Sequence, residues 1–551
     1  MKTQLSRVLM ALVAAFILPS LASAKVVDLK ALKSTVPIGD VRSSEYVKLP
    51  TIDWGGEYTQ VYANGNSKKT TPSSILGRLG LKFELMREND PQKMLNNYMS
   101  GVTPYFRGTA DMVLDVLPEM MKDPRTAPVF VVVMTKSTGG DALGVTRGIK
   151  TITDLRGLPI GMQAHGPHMS LNYTLLQLGK LLPRDVQIVW TEGLSDPAEL
   201  VRQGKVRAAY GIFPDINALA TGEGGDAVAG FRQMLSTRTY PNVIFDVYVV
   251  RTDWFEANKE LVYKLTMGLL QAQDKLVEIF KNPKSSEFQQ TVKAFATIAM
   301  GDSVDVKTAA EMIADFTFAQ FSFNEAFFTG RQFPNLKEVG AQINEALAAY
   351  GLPTSSATLR HADWDYKRLR AGGSLAVQAE RAMFNPQAVE AVVQRRQAQG
   401  TLEETQIFPE GVIYFKLNQT SFSASQYQAD FDELIVFLQK LGGAVVVIEG
   451  HTDPSKYNKY RERGESDVVL RKIEQEGRQL SRQRAVAVRQ SIMSYAESKG
   501  ILLDQSQFTV SGVGLDKPAI AVPTKRAEAE LNMRVVFRVL SLEAEEDVWA
   551  E

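Results

Sequence analysis

The chain has 551 residues, enough for several domains of roughly 100–200 residues each. Lysine plus arginine equals aspartate plus glutamate at 62 each, so nothing in the balance favours nucleic acid or an anionic membrane surface, and no nucleic-acid partner is expected. Cysteine is absent, which excludes disulfides, Cys-based zinc sites, thiol nucleophiles and an acylated lipoprotein cysteine, and the only histidines are His165, His168, His361 and His451.

At the amino terminus, Lys2 and Arg7 precede a mostly apolar run from Val8 to Leu18, and Ala22-Ser23-Ala24 supplies a small-x-small cleavage pattern. The run is shorter than the roughly 20 residues a spanning helix needs. Residues 1–24 are therefore expected to be a signal peptide cleaved near Ala24, which places the remainder in the periplasm. From about 50 to 250, short apolar runs alternate with helical patterns, as in Pro128–Met134, Leu158–Met162, Val186–Trp190 and Ile244–Val250. Continuous apolar strands spaced by helices predict a mainly parallel sheet covered on both faces. Residues 255–350 read as helices. The stretch 351–405 is weakly patterned and reads as a linker with some helix.

From 406 to 541, strands interleave with two helices, giving a smaller α+β sandwich with helices on one sheet face. Strands are expected at 412–415, 444–449, 507–511 and 533–539, with helices near 427–441 and 481–499. Gly450-His451-Thr452-Asp453 ends a strand, where a turn projects a carboxylate. Leu480-Ser481-Arg482-Gln483-Arg484-Ala485 opens a helix, with Ser481 as its cap and free N–H groups nearby. An aspartate and an arginine converging there would trap a zwitterion: the carboxylate takes an ammonium and the guanidinium takes a carboxylate bidentately.

These motifs, with Asn532-Met533-Arg534-Val535, resemble the OmpA-like peptidoglycan-binding domain over residues 406–545. The resemblance implies that Asp453 and Arg484 grip the diaminopimelate of peptidoglycan stem peptides, with Thr452 and Arg534 beside them. It also implies association with the cell wall. Three departures stand out: a long charged segment from Tyr460 to Arg478, Gly477 where relatives carry asparagine, and Met533 where they carry arginine. The alternative for the pair is that Asp453 caps a turn and Arg484 makes a surface ion pair. His451 reads as a packing histidine.

In the first module, glycine-containing segments sit at strand ends, where α/β sheets place ligands. They include Asp53-Trp54-Gly55-Gly56, Ala63-Asn64-Gly65, Phe106-Arg107-Gly108-Thr109, Lys136-Ser137-Thr138-Gly139-Gly140, His165-Gly166-Pro167-His168 and Phe213-Pro214-Asp215. Together with Thr151–Gly157 and Asp196–Ala209, this pattern resembles the periplasmic solute-binding proteins of ABC importers, nearest the nitrate/sulfonate/taurine branch. The resemblance implies an α/β two-lobed periplasmic-binding-protein fold over 25–350 that closes by hinge motion on a small anionic solute. It also implies an inner-membrane ABC permease as partner. The candidate solute contacts are Trp54, Gly55, Asn64, Arg107, Thr109, Ser137, His165, His168 and Asp215. Trp54 stacks on the ligand in this reading and Arg107 pairs with its charge; the alternatives are a core tryptophan and a loop-bracing arginine. His165 and His168 lack a third partner at helical spacing, so no metal is expected. With no nucleophile elbow, Walker loop, His-Glu-x-x-His or dinucleotide fingerprint, neither an enzyme nor a cofactor is expected. A second class remains open, an envelope assembly protein that uses the solute-binding fold to recruit a protein partner.

Overall fold

The computed structural model describes residues 24–222, 227–301, 303–331, 334–377, 384–402, 411–417, 419–440, 442–501, 503–542 and 548. Residues 1–23 of the leader segment, and the start of the second module at 406–410, lie outside these residues.

The run Pro128–Ser137 is rich in β-branched residues and buried almost throughout, as a strand with both faces covered requires. It is a central strand of a sheet ordered Phe316–Phe318, Pro128–Ser137, Phe245–Arg251, Tyr105–Thr109, with Arg360–His361 pairing beside it. The second sheet is ordered Gln187–Thr191, Pro159–Gln163, Ala208–Ile212, Asp141–Val145, Arg232–Ser236. The chain passes from one sheet to the other twice, between 137 and 141 and between 236 and 245. These crossing strands run against their neighbours: 245–251 is antiparallel to 105–109 and 128–137, and 141–145 to 208–212 and 232–236. The sheets are therefore mixed, where apolar runs alone had suggested mainly parallel ones. The predicted helical stretch 255–350 also contains the edge strand Phe316–Phe318, antiparallel to 128–137.

Helix Lys259–Phe280 covers the first sheet with Val262, Leu265, Leu269, Ala272 and Leu276, the 3.6-residue spacing of a core face. Helix Leu336–Ala349 begins on a capping box: Asn335 Oδ1 accepts from Lys337 N at 3.0 Å, while Asn335 N donates to Glu338 Oε2 at 3.1 Å.

The carboxy-terminal sheet is ordered Gly411–Tyr414, Arg534–Ser541, Ala444–His451, Phe508–Gly514. Strand 444–451 is buried at every position, so its side chains need cover on both faces. Phe431, Leu434, Val488 and Ile492, from helices Gln428–Lys440 and Asp467–Ser498, cover one face. Helix Pro386–Gln399 covers the other with Val389, Val392 and Val393 against Val445, Val447 and Leu540. Helices thus lie on both faces, not one. The stretch 351–405 divides accordingly: Arg360–His361 and helix Tyr366–Gly373 sit on the first module, and residues 384–402 on the second.

The helix expected at 481–499 runs from 467 to 498. Gly477 alone costs only about 1 kcal/mol in a helix interior, too little to end it. Ser481 is consequently not a cap. Its hydroxyl donates to Arg478 O at 2.9 Å and accepts from Gly514 N at 3.1 Å, tying the helix to the sheet.

The modules meet at the second crossing segment. Gly443 N donates to Thr239 O at 3.1 Å, the hydroxyls of Thr239 and Ser541 lie 2.9 Å apart, and Asn242 Nδ2 donates to Gln439 O at 3.1 Å. A Cβ on Gly443 would collide with Arg238 O. Gly443→Ala is expected to part the modules while leaving each folded. Small-angle scattering should show a larger radius of gyration, with unchanged melting of both modules.

Candidate ligand-binding site

Arg107, on strand 105–109, points inward and is fully buried. Its Nη2 lies 2.7 Å from Glu57 Oε1 and its Nη1 2.9 Å from Asp246 Oδ1, and Thr135 donates to Asp246 Oδ2 at 2.6 Å. One guanidinium neutralises one carboxylate, so the second carries excess buried charge. Burial accordingly pushes Glu57 up to about 8, against the pull of Arg107. Trp54 is 7% exposed and donates from its indole to Thr135 Oγ1 at 3.3 Å, with its ring against Gly140, where a Cβ would strike it. A Cβ on Gly55 would likewise strike the Phe316 ring. Trp54 and Arg107 are thus built into one internal network.

The two histidines are held the same way. His165 Nδ1 lies 2.6 Å from Asp115 Oδ2, and His168 Nε2 lies 2.8 Å from Asp141 Oδ1. Helix His168–Leu178 starts here, and Ser170 N donates to Asp111 Oδ1 at 3.1 Å. Asp111 and Asp115 project from helix Ala110–Met120 of the first lobe. The helix start that the sequence offers to an anion therefore receives the protein's own carboxylates.

The other candidates have plain roles. Thr109 caps helix 110–120 by accepting from Met112 N at 3.3 Å. Ser137 and Thr237 link the two crossing segments through hydroxyls 2.6 Å apart. Asp215 opens the short helix Asp215–Thr221. Asn64 is buried at the far end of strand 83–87, where its Oδ1 accepts from Thr70 Oγ1 at 2.6 Å, and it does not join this group.

Helix 336–349 packs on both helix 110–120 and helix 168–178 and so spans the lobes. Gln342 donates to Thr174 Oγ1 at 2.8 Å, Tyr350 OH accepts from Asn172 Nδ2 at 2.6 Å, and the same hydroxyl donates to Met169 O at 3.2 Å. On the hinge side, a cavity of about 320 Å³ opens between Gly139, Ala142, Phe213, Asn217, Arg238 and Asp315.

Burial pushes Asp111 up to about 7. A folded state that holds a proton the unfolded chain has lost is stabilised at low pH, and that contribution disappears as pH rises from about 4 to 7. Asp111→Asn is therefore expected to shrink the fall in the first module's urea midpoint between pH 5 and pH 7. His451 works in the opposite direction in the second module. Burial, aided by Arg534, pushes it down to about 4. Its contribution is present above about 6.5 and is lost as pH falls through 4.

In the second module, Asp453 Oδ1 accepts from Asn532 Nδ2 at 3.2 Å and Oδ2 from Ser455 N at 3.2 Å. Arg484 is fully buried. Its Nε donates to Gln419 O at 2.9 Å, Nη1 to His451 O at 3.3 Å and Nη2 to Lys416 O at 3.2 Å. No carboxylate pairs with it among the described residues, and burial pushes it down to about 10. Bonding to His451 O places its guanidinium at the strand end that carries Asp453. Thr452 is buried with its hydroxyl unpartnered among the described residues, and Arg534 donates to Lys517 O at 3.3 Å. Gly477 faces the Thr452 hydroxyl, and Met533 is buried in the core.

Two α/β lobes joined by two crossing segments, followed by a smaller α+β unit, define a periplasmic-binding-protein fold with an appended domain. Residues 80–285 match the family described as NMT1/THI5 like. No curated protein matches the chain. Among solved structures, the chain is similar to the periplasmic aliphatic sulphonate binding protein SsuA from Escherichia coli, with 14% identity, 62% of this chain, 98% of that one and a TM-score of 0.40. It is also similar to the alkanesulfonate-binding protein SsuA from Xanthomonas axonopodis pv. citri bound to MOPS, with 15% identity, 57% and 96% coverage and a TM-score of 0.40. A further similarity is to the peptidoglycan-associated lipoprotein from Burkholderia pseudomallei, with 22% identity, 23% and 88% coverage and a TM-score of 0.18.

Proposed function

We propose that the chain is an exported solute receptor held at the cell wall. Its first module takes a small solute between the lobes for delivery to an inner-membrane ABC permease, and its second module binds peptidoglycan non-covalently. Arg484 is the observation that carries the anchoring: a buried guanidinium bonded to three carbonyls, without a carboxylate among the described residues, at the strand end that bears Asp453. Burying a charge is costly unless it is paired. The carboxylate of diaminopimelate would supply the missing anion, and Asp453 would take the ammonium. Entry to Arg484 requires Lys416 and Gln419, which supply two of the three carbonyls, to shift aside. Tethering would also keep the receptor near its permease through effective concentration.

The test is co-sedimentation of the full chain with purified sacculi. Wild type is expected in the pellet and Asp453→Ala in the supernatant, with free diaminopimelate competing. Undiminished pelleting of Asp453→Ala would overturn the anchoring.

The internally paired cleft favours a second reading, an assembly protein whose closed lobes present a surface to a protein partner. A thermal-shift screen separates the two. A solute in excess of its Kd raises Tm in a receptor, whereas an assembly protein stays silent across the screen.

A further inference from the structure

Among the described residues, the cations and the helix start that the sequence offers to an anionic solute at 107, 165 and 168 are already matched. Arg107 faces Glu57 and Asp246, His165 faces Asp115, His168 faces Asp141, and the start of helix 168–178 faces Asp111. A hinge-side cavity of about 320 Å³ lies open beside them, at the small end of the roughly 300–1,000 Å³ range of ligand pockets. Its lining carries one carboxylate, Asp315, and one guanidinium, Arg238. Both approach the same spot: from the position a Cβ would take on Gly139, Arg238 Nε is 3.7 Å away and Asp315 Oδ1 is 3.8 Å away. Gly139 has φ +147, a conformation that side-chain-bearing residues rarely adopt, so this spot stays unfilled. Asp315 is held in place by its backbone, whose carbonyl accepts from Thr138 N at 2.9 Å and Gly140 N at 3.1 Å. Around the charged pair, Phe213 gives an apolar wall, and Asn217 and Gln233 bring amides.

From this geometry we infer that the hinge-side cavity is the solute pocket and takes a small zwitterion of the α-amino-acid type, with its ammonium on Asp315 and its carboxylate on Arg238. The inference rests on the solute-receptor reading and names the ligand class for it. A guanidinium has five N–H donors in a planar fork, so Arg238 can serve a ligand carboxylate as well as its existing neighbours. Charge selects on both sides. A simple anion would meet the Asp315 carboxylate with Asp141 and Glu311 in its field, and a simple cation would meet Arg238. Burial already pushes Asp315 up to about 7, so an arriving ammonium stabilises the ionised form and binding releases a proton near neutral pH.

The pocket also touches the module junction directly. Arg238 precedes Thr239, whose carbonyl and hydroxyl hold Gly443 and Ser541. A ligand on Arg238 therefore bears on the segment that carries the second module.

The test uses the full chain in a thermal-shift screen against the twenty protein L-amino acids at millimolar concentration, followed by calorimetry on the strongest. Expected results are a rise in Tm with at least one amino acid, a loss of at least tenfold in affinity for its N-acetyl derivative, and a similar loss in Asp315→Asn. Binding that persists unchanged in Asp315→Asn would overturn the assignment of the pocket. Equal binding of the N-acetyl form would overturn the role of the ammonium, and since it uses the wild-type chain it stands even where Asp315→Asn fails to fold. Methanesulfonate binding where no amino acid does would overturn the ligand class while leaving solute capture intact. Silence from both would overturn the ligand class, and native mass spectrometry of protein purified from its host would then decide solute capture separately.

Discussion

Replacing Arg107 with alanine is expected to destabilise the first module by about 3–5 kcal/mol, the usual consequence of removing one partner of a buried ion pair. The loss would leave Glu57 and Asp246 facing each other without a countercharge, both fully enclosed. Denaturant titration of the unliganded chain measures it directly. A contact made only with solute would behave differently: its removal weakens binding and leaves the stability of the empty protein unchanged. The companion variant is Glu57→Gln. Burial holds Glu57 near 8, so the carboxyl is largely protonated at neutral pH and glutamine imitates that form. Glu57→Gln is therefore expected to cost less than about 1 kcal/mol, within the range of a neutral hydrogen-bond exchange. A loss as large as that of Arg107→Ala would mean that both carboxylates are ionised around the guanidinium.

The strands were the most readable part of the sequence because continuous β-branched runs announce burial on two faces. Pro128–Ser137 and Ala444–His451 lie where their composition places them. The same property of 444–451 also implied a second covering layer, and the stripe Val389, Val392, Val393 that supplies it was visible at helical spacing in a stretch otherwise read as linker. The charge pairings were much harder to see. Which carboxylate meets Arg107 depends on strand pairing within the first sheet, which sets Asp246, more than a hundred positions away, within 3 Å of it, and only contact between the lobes brings Asp115 to His165. One signal was nevertheless present. Asp111, Asp115 and Glu119 recur every fourth residue along an otherwise apolar helix, which puts three acids on one buried stripe. Acids so placed require partners, and Ser170 N, His165 and Ser34 N are those partners. The cavity pair Arg238 and Asp315 had no such signature, because each sits alone in its own segment.

The largest effect on wall retention is expected at Arg484, and three variants separate its two duties. Arg484→Ala removes donors from the carbonyls of Lys416, Gln419 and His451. Each buried acceptor left unpaired costs about 1–3 kcal/mol, so this variant should lose both stability and sacculus binding. Arg484→Lys keeps the charge but replaces a planar fork with a single ammonium. It should retain most of the folding and still lose at least tenfold in binding, because a point donor cannot grip a carboxylate bidentately while bonding the same carbonyls. Asp453→Asn removes the charge meant for the ligand's ammonium; both carboxylate oxygens accept, from Ser455 N and Asn532 Nδ2, so an amide keeps one of these contacts and loses the other, at a cost of about 1 kcal/mol. It should fold with a stability close to wild type and lose at least tenfold in binding. Co-sedimentation with sacculi, run beside urea unfolding of the same preparations, reads both quantities. Full retention by Arg484→Lys together with Asp453→Asn would reduce the guanidinium to a prop for three carbonyls, and the wall anchor would have to lie elsewhere on the chain.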